Sequence, residues 1–301
     1  MVERGTEKVS ASAPDSEQSS ARRGTVRGLL LAAPALMWTL LFFVLPFGTM
    51  ALWSFYGSQG PGGADGASLA NYQRLVSDDY FDSALFNSLQ ITTLVTILSV
   101  LLAFPLAYVI ATRIPPRQQR LWLMLAVLPF WTSYVVRSYA WLLLLSPEGV
   151  VNNTLMALGL VSEPLQLSFT RGATLTGFVH FFVMLCTLTI YASLVRIDPK
   201  LLLAAADLGA SAWQAFCRIT LPLAAPGIAA GAFLTFVVTI GDFVTPQILG
   251  GNNDLLLPQV ILLQITRRGD IPMAATLSIV VMVCVTVAYL ALARWLTSRK
   301  L

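Results

Sequence analysis

The chain has 301 residues, of which 56% are hydrophobic and only 11% are charged. Soluble domains carry about a quarter charged residues, so this composition excludes an ordinary soluble fold and indicates a membrane protein. The net charge of +4 reflects the side of the membrane on which basic residues lie, and it does not indicate a nucleic-acid-binding surface.

The first 27 residues are rich in Ser, Ala and charged residues and contain almost no large apolar side chains. Such a segment buries too little apolar surface to offset its conformational entropy, so residues 1–27 are predicted to form a disordered cytoplasmic tail. The apolar run that follows is much longer than the h-region of a cleaved signal peptide. Residues 28–301 are predicted to form one transmembrane domain.

Six runs beyond the tail are free or nearly free of charge, and each exceeds the roughly 20 apolar residues that a helix needs to cross a bilayer core. The sequence therefore predicts an all-α, polytopic membrane protein with six transmembrane helices. The runs are Gly28–Tyr56, Ser83–Thr112, Leu121–Pro147, Gly172–Val195, Ile219–Gly241 and Ile271–Ala293.

Lys and Arg residues are concentrated on one side of this topology. Of the 19, 14 lie in the amino tail, the second and fourth connections and the carboxyl tail. Because cytoplasmic segments carry the excess of Lys and Arg, these segments and both termini are predicted to be cytoplasmic. The residues are Arg4, Lys8, Arg22, Arg23, Arg27, Arg113, Arg117, Arg120, Arg196, Lys200, Arg218, Arg294, Arg299 and Lys300.

The outer connections are longer. In the loop 57–82 the stretch "LANYQRLVSDDYFD" indicates a short amphipathic surface helix, and in the loop 146–171 the stretch "SPEGVVNNTLMALGL" indicates another. The third outer connection, 248–270, begins with "ILGGNNDLLLPQ" and is predicted to be a loop.

The fourth connection contains a helix with a clear start and end. Asp198 is a favourable N-cap and Pro199 suits the first helical position. Gly209 permits the left-handed backbone that ends a helix. The residues between them are mainly Leu and Ala with one acid, Asp207. Such an apolar helix is either packed beneath the chain's own spans or inserted in a groove of a partner.

A second helix is predicted directly after this glycine. Ser211 and Gln214 have the spacing of a capping box, which opens a helix. Pro222 and Pro226 are predicted to end it and to mark its junction with the fifth span.

The pattern Ala204-Ala205, three residues, Gly209, nine residues, Ile219-x-Leu221-Pro222 resembles the cytoplasmic signature of permease subunits of binding-protein-dependent ABC importers. In that family the helix before the glycine is the coupling helix, which docks on the ATPase subunit. The family usually has Glu before the two alanines, where this chain has Leu203, so the resemblance implies docking by shape and apolar area. The residues implied for this contact are Leu203, Ala204, Ala205, Asp207, Leu208, Gly209, Ala210 and Pro222.

Two further stretches, "LPFWTSYVVRSYAW" (128–141) and "TIGDFVTPQILGG" (239–251), look like the polyamine-type branch of these permeases. The resemblance implies spermidine, putrescine or a similar small organic solute. The alternatives are iron, phosphonate or opine-like solutes, which relatives of this branch import, and an ion-coupled secondary transporter. The latter would require more intramembrane acids than Asp242.

The resemblance also implies the rest of a complex in the bacterial inner membrane. The chain would form half of the solute path beside a second permease, with two ATPase subunits and a periplasmic solute-binding protein. The sequence contains no phosphate loop, metal-ligand cluster or Ser/His/Asp set. We therefore expect a transport subunit, not an enzyme, that binds no cofactor and relies on a partner to use ATP and Mg.

Two opposite charges lie inside the predicted spans. Arg137 follows Leu121 by 16 residues and Asp242 follows Ala225 by 17, so both lie about 24–26 Å above the cytoplasmic ends of their helices. Equal depth makes an ion pair geometrically possible. The alternatives are a buried brace between the third and fifth spans, an arginine that snorkels to the outer interface, or residues that line the solute path.

Aromatic residues flank Arg137, and an organic cation would stack on such rings, although most of them belong to packing or to an interface belt. Pro129, Gly241 and Pro246 interrupt the spans nearby.

His180, the only histidine, is predicted to be a hydrogen-bonded core residue. The scattered Cys186, Cys217 and Cys284 are predicted to be unpaired apolar fillers. The candidate path residues are Arg137, Asp242, Trp131, Tyr134 and Tyr139.

Overall fold

The computed structural model describes residues 31–57, 66–251 and 254–298, with side chains described as far as residue 294. The predicted tail, 1–27, lies outside the described residues. Within those ranges the chain is helical and contains no strand. The helices are α1 (Leu31–Trp53), α2 (Ala70–Ser77), α3 (Asp79–Thr112), α4 (Pro116–Val127), α5 (Tyr134–Leu145), α6 (Val150–Ala157), α7 (Arg171–Leu194), α8 (Pro199–Asp207), α9 (Ala212–Gly241), α10 (Val244–Leu249), α11 (Leu257–Leu263) and α12 (Ile271–Ser298).

Contacts divide the chain into two units, one ending at Leu52 and the other beginning at Trp53. The first unit contains nearly all of α1, which includes one π-helical turn, Leu40–Val44. Just before this turn, the Thr39 hydroxyl donates to the carbonyl oxygen of Ala35 at 2.9 Å. All other helices belong to the second unit.

Five helices of the described chain are long and apolar enough to cross a membrane: α1, α3, α7, α9 and α12. The third predicted span is instead a pair of helical arms, Pro116–Trp131 and Tyr134–Ala157, bent by 85°. The total reaches six if this bent pair is one span. The described residues therefore contain five or six of the candidate spans that the sequence predicts, and the third of them is broken.

The bend lies where the sequence predicts an interruption. Pro129 belongs to a 3₁₀ turn, Leu128–Trp131, and the Thr132 hydroxyl donates to the Pro129 carbonyl oxygen at 2.7 Å. Thr132 and Ser133 are then extended, with ψ angles of 149° and 133°. Proline has no N–H to donate to a helical hydrogen bond, and the two extended residues interrupt the remaining i to i−4 hydrogen bonds. The second arm therefore starts in a new direction.

The second unit is built around α3, α7 and α9, whose contact is lined by small and medium apolar residues. Gly227 and Gly231 lie one turn apart on α9 against α7. A Cβ atom on Gly227 would lie 2.6 Å from the Thr189 carbonyl oxygen, and one on Gly231 would lie 2.5 Å from the Thr189 hydroxyl. Small residues at this spacing allow close approach of two membrane helices. Buried members of this core are Ala103, Ala107, Cys186, Ile190, Leu194 and Ala224.

The second helix predicted after Gly209 and the fifth span form one helix, α9. The predicted stop at Pro222 is wrong. A π-helical turn, Phe216–Thr220, precedes the proline, and the Leu221 N–H bonds to the Phe216 carbonyl oxygen five residues back. This wider turn changes the hydrogen-bond ladder next to a residue that has no N–H to donate, so the helix continues through Pro222 and Pro226.

The two predicted surface helices are present as α2 and α6.

The prediction that 248–270 is a loop is wrong for most of its length, because α11 and a π-helical turn, Gln264–Arg268, lie within it. Leu257 and Val260 of α11 are buried in a cluster with residues of α3 and α12. Gln259 accepts the Leu256 N–H at 2.9 Å and so caps this helix. The apolar run is too short for helical periodicity to reveal it.

Candidate functional site

Helix α8 begins and ends as its sequence predicts. The Asp198 carboxylate accepts the Lys200 N–H at 2.9 Å, and Pro199 occupies the first turn. Gly209 has a φ of +82° and stands directly after the last turn. Ser211 and Gln214 then form the predicted capping box, with bonds of 3.3 and 2.9 Å. Gly209 is therefore the corner between α8 and α9.

The surface of α8 is open, since none of its residues is buried. Leu203 is 65% exposed, and Leu208, in the turn that ends the helix, is 89% exposed. The alternative in which α8 packs beneath the chain's own spans does not occur among the residues described. Of the predicted contact residues, Ala205 and Ala210 are half-buried, and Leu203, Ala204, Asp207, Leu208, Gly209 and Pro222 are exposed.

Aromatic rings connect the corner at Gly209 to the core. The Trp213 ring stacks on Phe216 with a centroid distance of 5.5 Å. Phe216 in turn meets Phe104 and Tyr108 of α3 edge-on, at 5.8 and 5.7 Å. These rings form a chain of direct contacts from the start of α9, next to the corner, to the long helix α3.

Gln119 holds the short connection between α3 and α4 at the same end of the unit. Its side-chain amide donates to the carbonyl oxygens of Ala111 and Ile114 at 3.1 and 3.0 Å. The Tyr191 hydroxyl donates to its amide oxygen at 3.1 Å. Hydrogen bonds of Gln119 therefore fix the connection between α3 and α4 to α7.

A second polar cluster lies where the bend after α4 meets the end of α9. Asp242 directly follows the last residue of α9, and its carboxylate accepts the N–H of Val244, the first residue of α10, at 2.8 Å. The Thr245 hydroxyl donates to the same carboxylate at 3.0 Å. The Tyr134 hydroxyl, from α5, also donates to Asp242 and contacts the Thr245 hydroxyl.

Arg137 does not form the ion pair with Asp242 that equal depth made possible; the ion pairs found in the described structure are Arg74–Asp270 and Arg171–Asp254. The Arg137 side chain is buried, with Nη1 3.3 Å from the Pro129 carbonyl oxygen. Its guanidinium carbon lies 4.8 Å from the centroid of the Phe181 ring and 5.7 Å from that of Tyr134. Tyr134 therefore bridges the third and fifth spans, and burial of Arg137 excludes snorkelling in this conformation.

The remaining aromatic candidates lie apart from this cluster. Trp131 is 88% exposed and Tyr139 is also exposed. Trp141 donates its indole N–H to Nδ1 of the half-buried His180 at 3.0 Å, which confirms the predicted hydrogen-bonded histidine. The three cysteines are free thiols.

Two members of the cluster were missed by sequence reasoning. Thr245 stands three residues after Asp242, close enough in sequence for its hydroxyl to reach that carboxylate, so this short spacing was the available signal. Phe181 carries no such signal, because its ring reaches Arg137 only through the packing of α7 against α5.

A family model described as the binding-protein-dependent transport system inner membrane component matches residues 103–300. The chain belongs to this family. It is a permease subunit of an ABC importer and a multi-pass protein of the inner membrane, and ATP hydrolysis resides in a separate subunit.

Curated relatives support this membership over most of the chain. The spermidine/putrescine transport system permease protein PotB of Escherichia coli K12 is 35% identical over 234 residues, which cover 78% of this chain and 84% of that protein. The inner membrane ABC transporter permease protein YdcU of the same organism is 37% identical over 237 residues, with 74% of each chain covered.

Solved structures show the same fold. A chain of a bacterial ABC transporter involved in the import of the acidic polysaccharide alginate matches with a TM-score of 0.71 and 21% identity, covering 92% of this chain and 98% of that chain. A chain of the MetNI methionine ABC transporter matches with a TM-score of 0.54 and 14% identity, covering 72% and 94%. These identities are evidence for the fold alone.

Proposed function

We propose that this permease imports polyamines such as spermidine and putrescine. The observation that carries the proposal is the 35% identity to PotB across 84% of that protein. The Asp242 carboxylate at the break between α9 and α10 supports a cationic solute, and the rings of Tyr134 and Phe181 already accommodate one cation, the Arg137 guanidinium. Carboxylates and aromatic faces are the groups that bind organic ammonium ions in proteins.

Asp242 is proposed as the residue that receives an ammonium group of the solute. Tyr134 is assigned to the same part of the path because its hydroxyl donates to Asp242. Arg137 is assigned to it because its guanidinium lies over the Tyr134 ring. Trp131 and Tyr139 are exposed on this subunit. We assign them to the path only through a second permease that covers them, since a path formed by two subunits lies between them.

Helix α8 is proposed as the coupling helix, on the cytoplasmic side, with Leu203, Ala204, Ala205, Asp207, Leu208 and Ala210 in contact with an ATPase subunit. Its exposed apolar surface and its connection to α3 through Phe216 support this role. Gly209 sets the angle of the helix, and Pro222 lies on the adjoining turn of α9. Because Leu203 replaces the usual acid, the groove that receives it would be apolar at that point.

The complete assembly is proposed to contain a second permease, two ATPase subunits and a periplasmic solute-binding protein. A solved neighbour of the same fold is a bacterial alginate ABC transporter in complex with a periplasmic protein. In this arrangement residues 28–301 form one transmembrane domain, both termini and the tail 1–27 are cytoplasmic, and ATP and Mg are bound by the partner. This chain itself would hold no cofactor.

The test is uptake into proteoliposomes that contain the chain with its partner permease, its ATPase and the cognate binding protein. Labelled putrescine and spermidine should accumulate only with ATP on the ATPase side and only with the binding protein present. Iron, phosphonate and opine substrates serve as the competing solutes. Accumulation of one of these without polyamine uptake would overturn the substrate assignment.

A further inference from the structure

Arg137 is a buried cation whose hydrogen-bonding capacity is largely unused in the described structure. The residue is 7% exposed, Nη1 reaches a single backbone carbonyl at 3.3 Å, and Nη2 has no hydrogen-bond partner. A buried donor without an acceptor destabilises the folded state, and a charged donor does so more strongly than a neutral one. The described conformation thus leaves an unsatisfied cationic donor inside the membrane.

Asp242 is the acid that shares a neighbour with this cation. Tyr134 lies one helical turn before Arg137 on α5, and the guanidinium carbon is 5.7 Å from the centre of its ring. The hydroxyl at the other end of that ring donates to Asp242. A single tyrosine side chain therefore stands between the unsatisfied donor and the carboxylate.

Both residues lie beside interruptions in their helices. Arg137 is in the first turn after the bend at Thr132 and Ser133, and Asp242 is the extended residue between α9 and α10, with ψ at 126°. Helix α10 packs on α5. Element ends and loop residues of this kind absorb the backbone rotations of conformational transitions, so the two groups can change their separation without breaking a continuous helix.

We propose that Arg137 is an internal counter-cation for Asp242. In a second conformation of the transport cycle, the Tyr134 hydroxyl leaves the carboxylate and the Arg137 guanidinium takes its place. The new ion pair competes with an ammonium group of the solute for Asp242, and so releases the solute toward the cytoplasm. The identity of the solute rests on the proposed polyamine function, whereas the exchange of partners at Asp242 does not.

A static brace and a counter-cation make opposite predictions for the apolar substitution Arg137→Met. If Arg137 only braces the bend, its removal loses the contacts with Pro129 and Phe181 and lowers thermal stability. If it is held unsatisfied until the second conformation, Met removes a buried unpaired donor, and stability is kept or raised. Transport would nevertheless fall, because nothing then displaces the solute from Asp242.

The experiment uses the complete complex in proteoliposomes, with labelled putrescine as the probe. We expect Arg137→Met to lower the maximal uptake rate about tenfold with an unchanged or higher thermal midpoint, and Arg137→Lys, which keeps the charge, to restore most of the rate. Val136→Met, the same new side chain at an exposed neighbouring position, is the matched control and should behave as wild type. Normal uptake in Arg137→Met, or a lowered midpoint with no rescue by Lys, would overturn the proposal.

A second readout does not depend on the solute. The rate of ATP hydrolysis by the complex in nanodiscs is measured for Arg137→Met, Asp242→Asn and the double variant. We expect Arg137→Met to slow hydrolysis when Asp242 is present and to have no further effect when Asn replaces it. Independent effects that multiply, or no effect of Arg137→Met, would contradict the exchange. If wild type takes up no polyamine, the substrate assignment fails while this cycle still decides the role of Arg137.

Discussion

The Tyr134 hydroxyl donates to the Asp242 carboxylate and so joins two helix breaks that are 108 residues apart in sequence. One break bends the third span and the other separates α9 from α10. The Thr245 hydroxyl completes the contact from the first turn of α10. A hydrogen bond between side chains, not an ion pair, therefore holds the interrupted spans together in this conformation.

Replacement of Tyr134 by Phe should weaken this joint while the ring contact with Phe181 is kept. Loss of the hydroxyl leaves Asp242 with one fewer donor, which costs about 1–2 kcal/mol of stability. We expect a lower thermal midpoint of the purified complex and a reduced uptake rate. The matched control is Tyr289→Phe, which removes the same atom from an exposed ring on α12, outside the proposed path. Equal behaviour of the two variants would contradict a role for the Tyr134 hydroxyl.

The approach of α9 to α7 should be sensitive to a single methyl group. A Cβ atom at Gly227 meets the Thr189 backbone at 2.6 Å and also meets the Ser193 side chain, so Gly227→Ala forces the helices apart. We expect a loss of roughly 1–3 kcal/mol in stability, measured as a lower thermal midpoint. Gly48→Ala is the control, because a Cβ atom there has nothing within 4 Å. An unchanged midpoint for Gly227→Ala would show that the contact is looser than described.

The corner at Gly209 should tolerate asparagine and reject valine. Its φ of +82° costs a β-branched residue about 1–3 kcal/mol, whereas Asn enters the left-handed region readily. We expect Gly209→Val to insert in the membrane at normal levels but to lose uptake while ATP is still hydrolysed. Gly209→Asn should retain both activities. Normal uptake in Gly209→Val would remove the coupling role from this corner.

Local chemistry made the segment around α8 predictable. Asp198, Gly209 and the pair Ser211 and Gln214 each act within a few residues, so their cap and corner geometry can be inferred without knowledge of the fold. The same holds for the interruption at Pro129, whose missing N–H is a property of one residue. The course of α9 through Pro222 was not predictable in this way, because a π-helical turn is set by packing around Phe216 and has no sequence signal of its own.

The cluster around Asp242 shows a different limit. Helical rise alone put Arg137 and Asp242 at similar depth, but depth does not determine which side chains meet. The bend at Thr132 and Ser133 turns α5 so that Tyr134 faces Asp242, and packing of α7 brings Phe181 beneath the guanidinium. These are contacts between distant segments, and a single sequence contains no information on their rotation. For the same reason, the exposed positions of Trp131 and Tyr139 became clear only from the fold.

The central claim is that α8 is a cytoplasmic helix that docks on a separate ATPase through its exposed leucines. The most direct test places a cysteine at Leu203 in a chain whose native cysteines are replaced by Ala, within the complete complex. Leu160→Cys, exposed in the loop after α6, is the control for the outer side. We predict that the cysteine at 203 crosslinks to the ATPase subunit and is inaccessible to an impermeant thiol reagent added outside, whereas the cysteine at 160 is labelled by it. Labelling of position 203 from outside, or its crosslinking to the chain's own spans in place of the ATPase, would contradict the account.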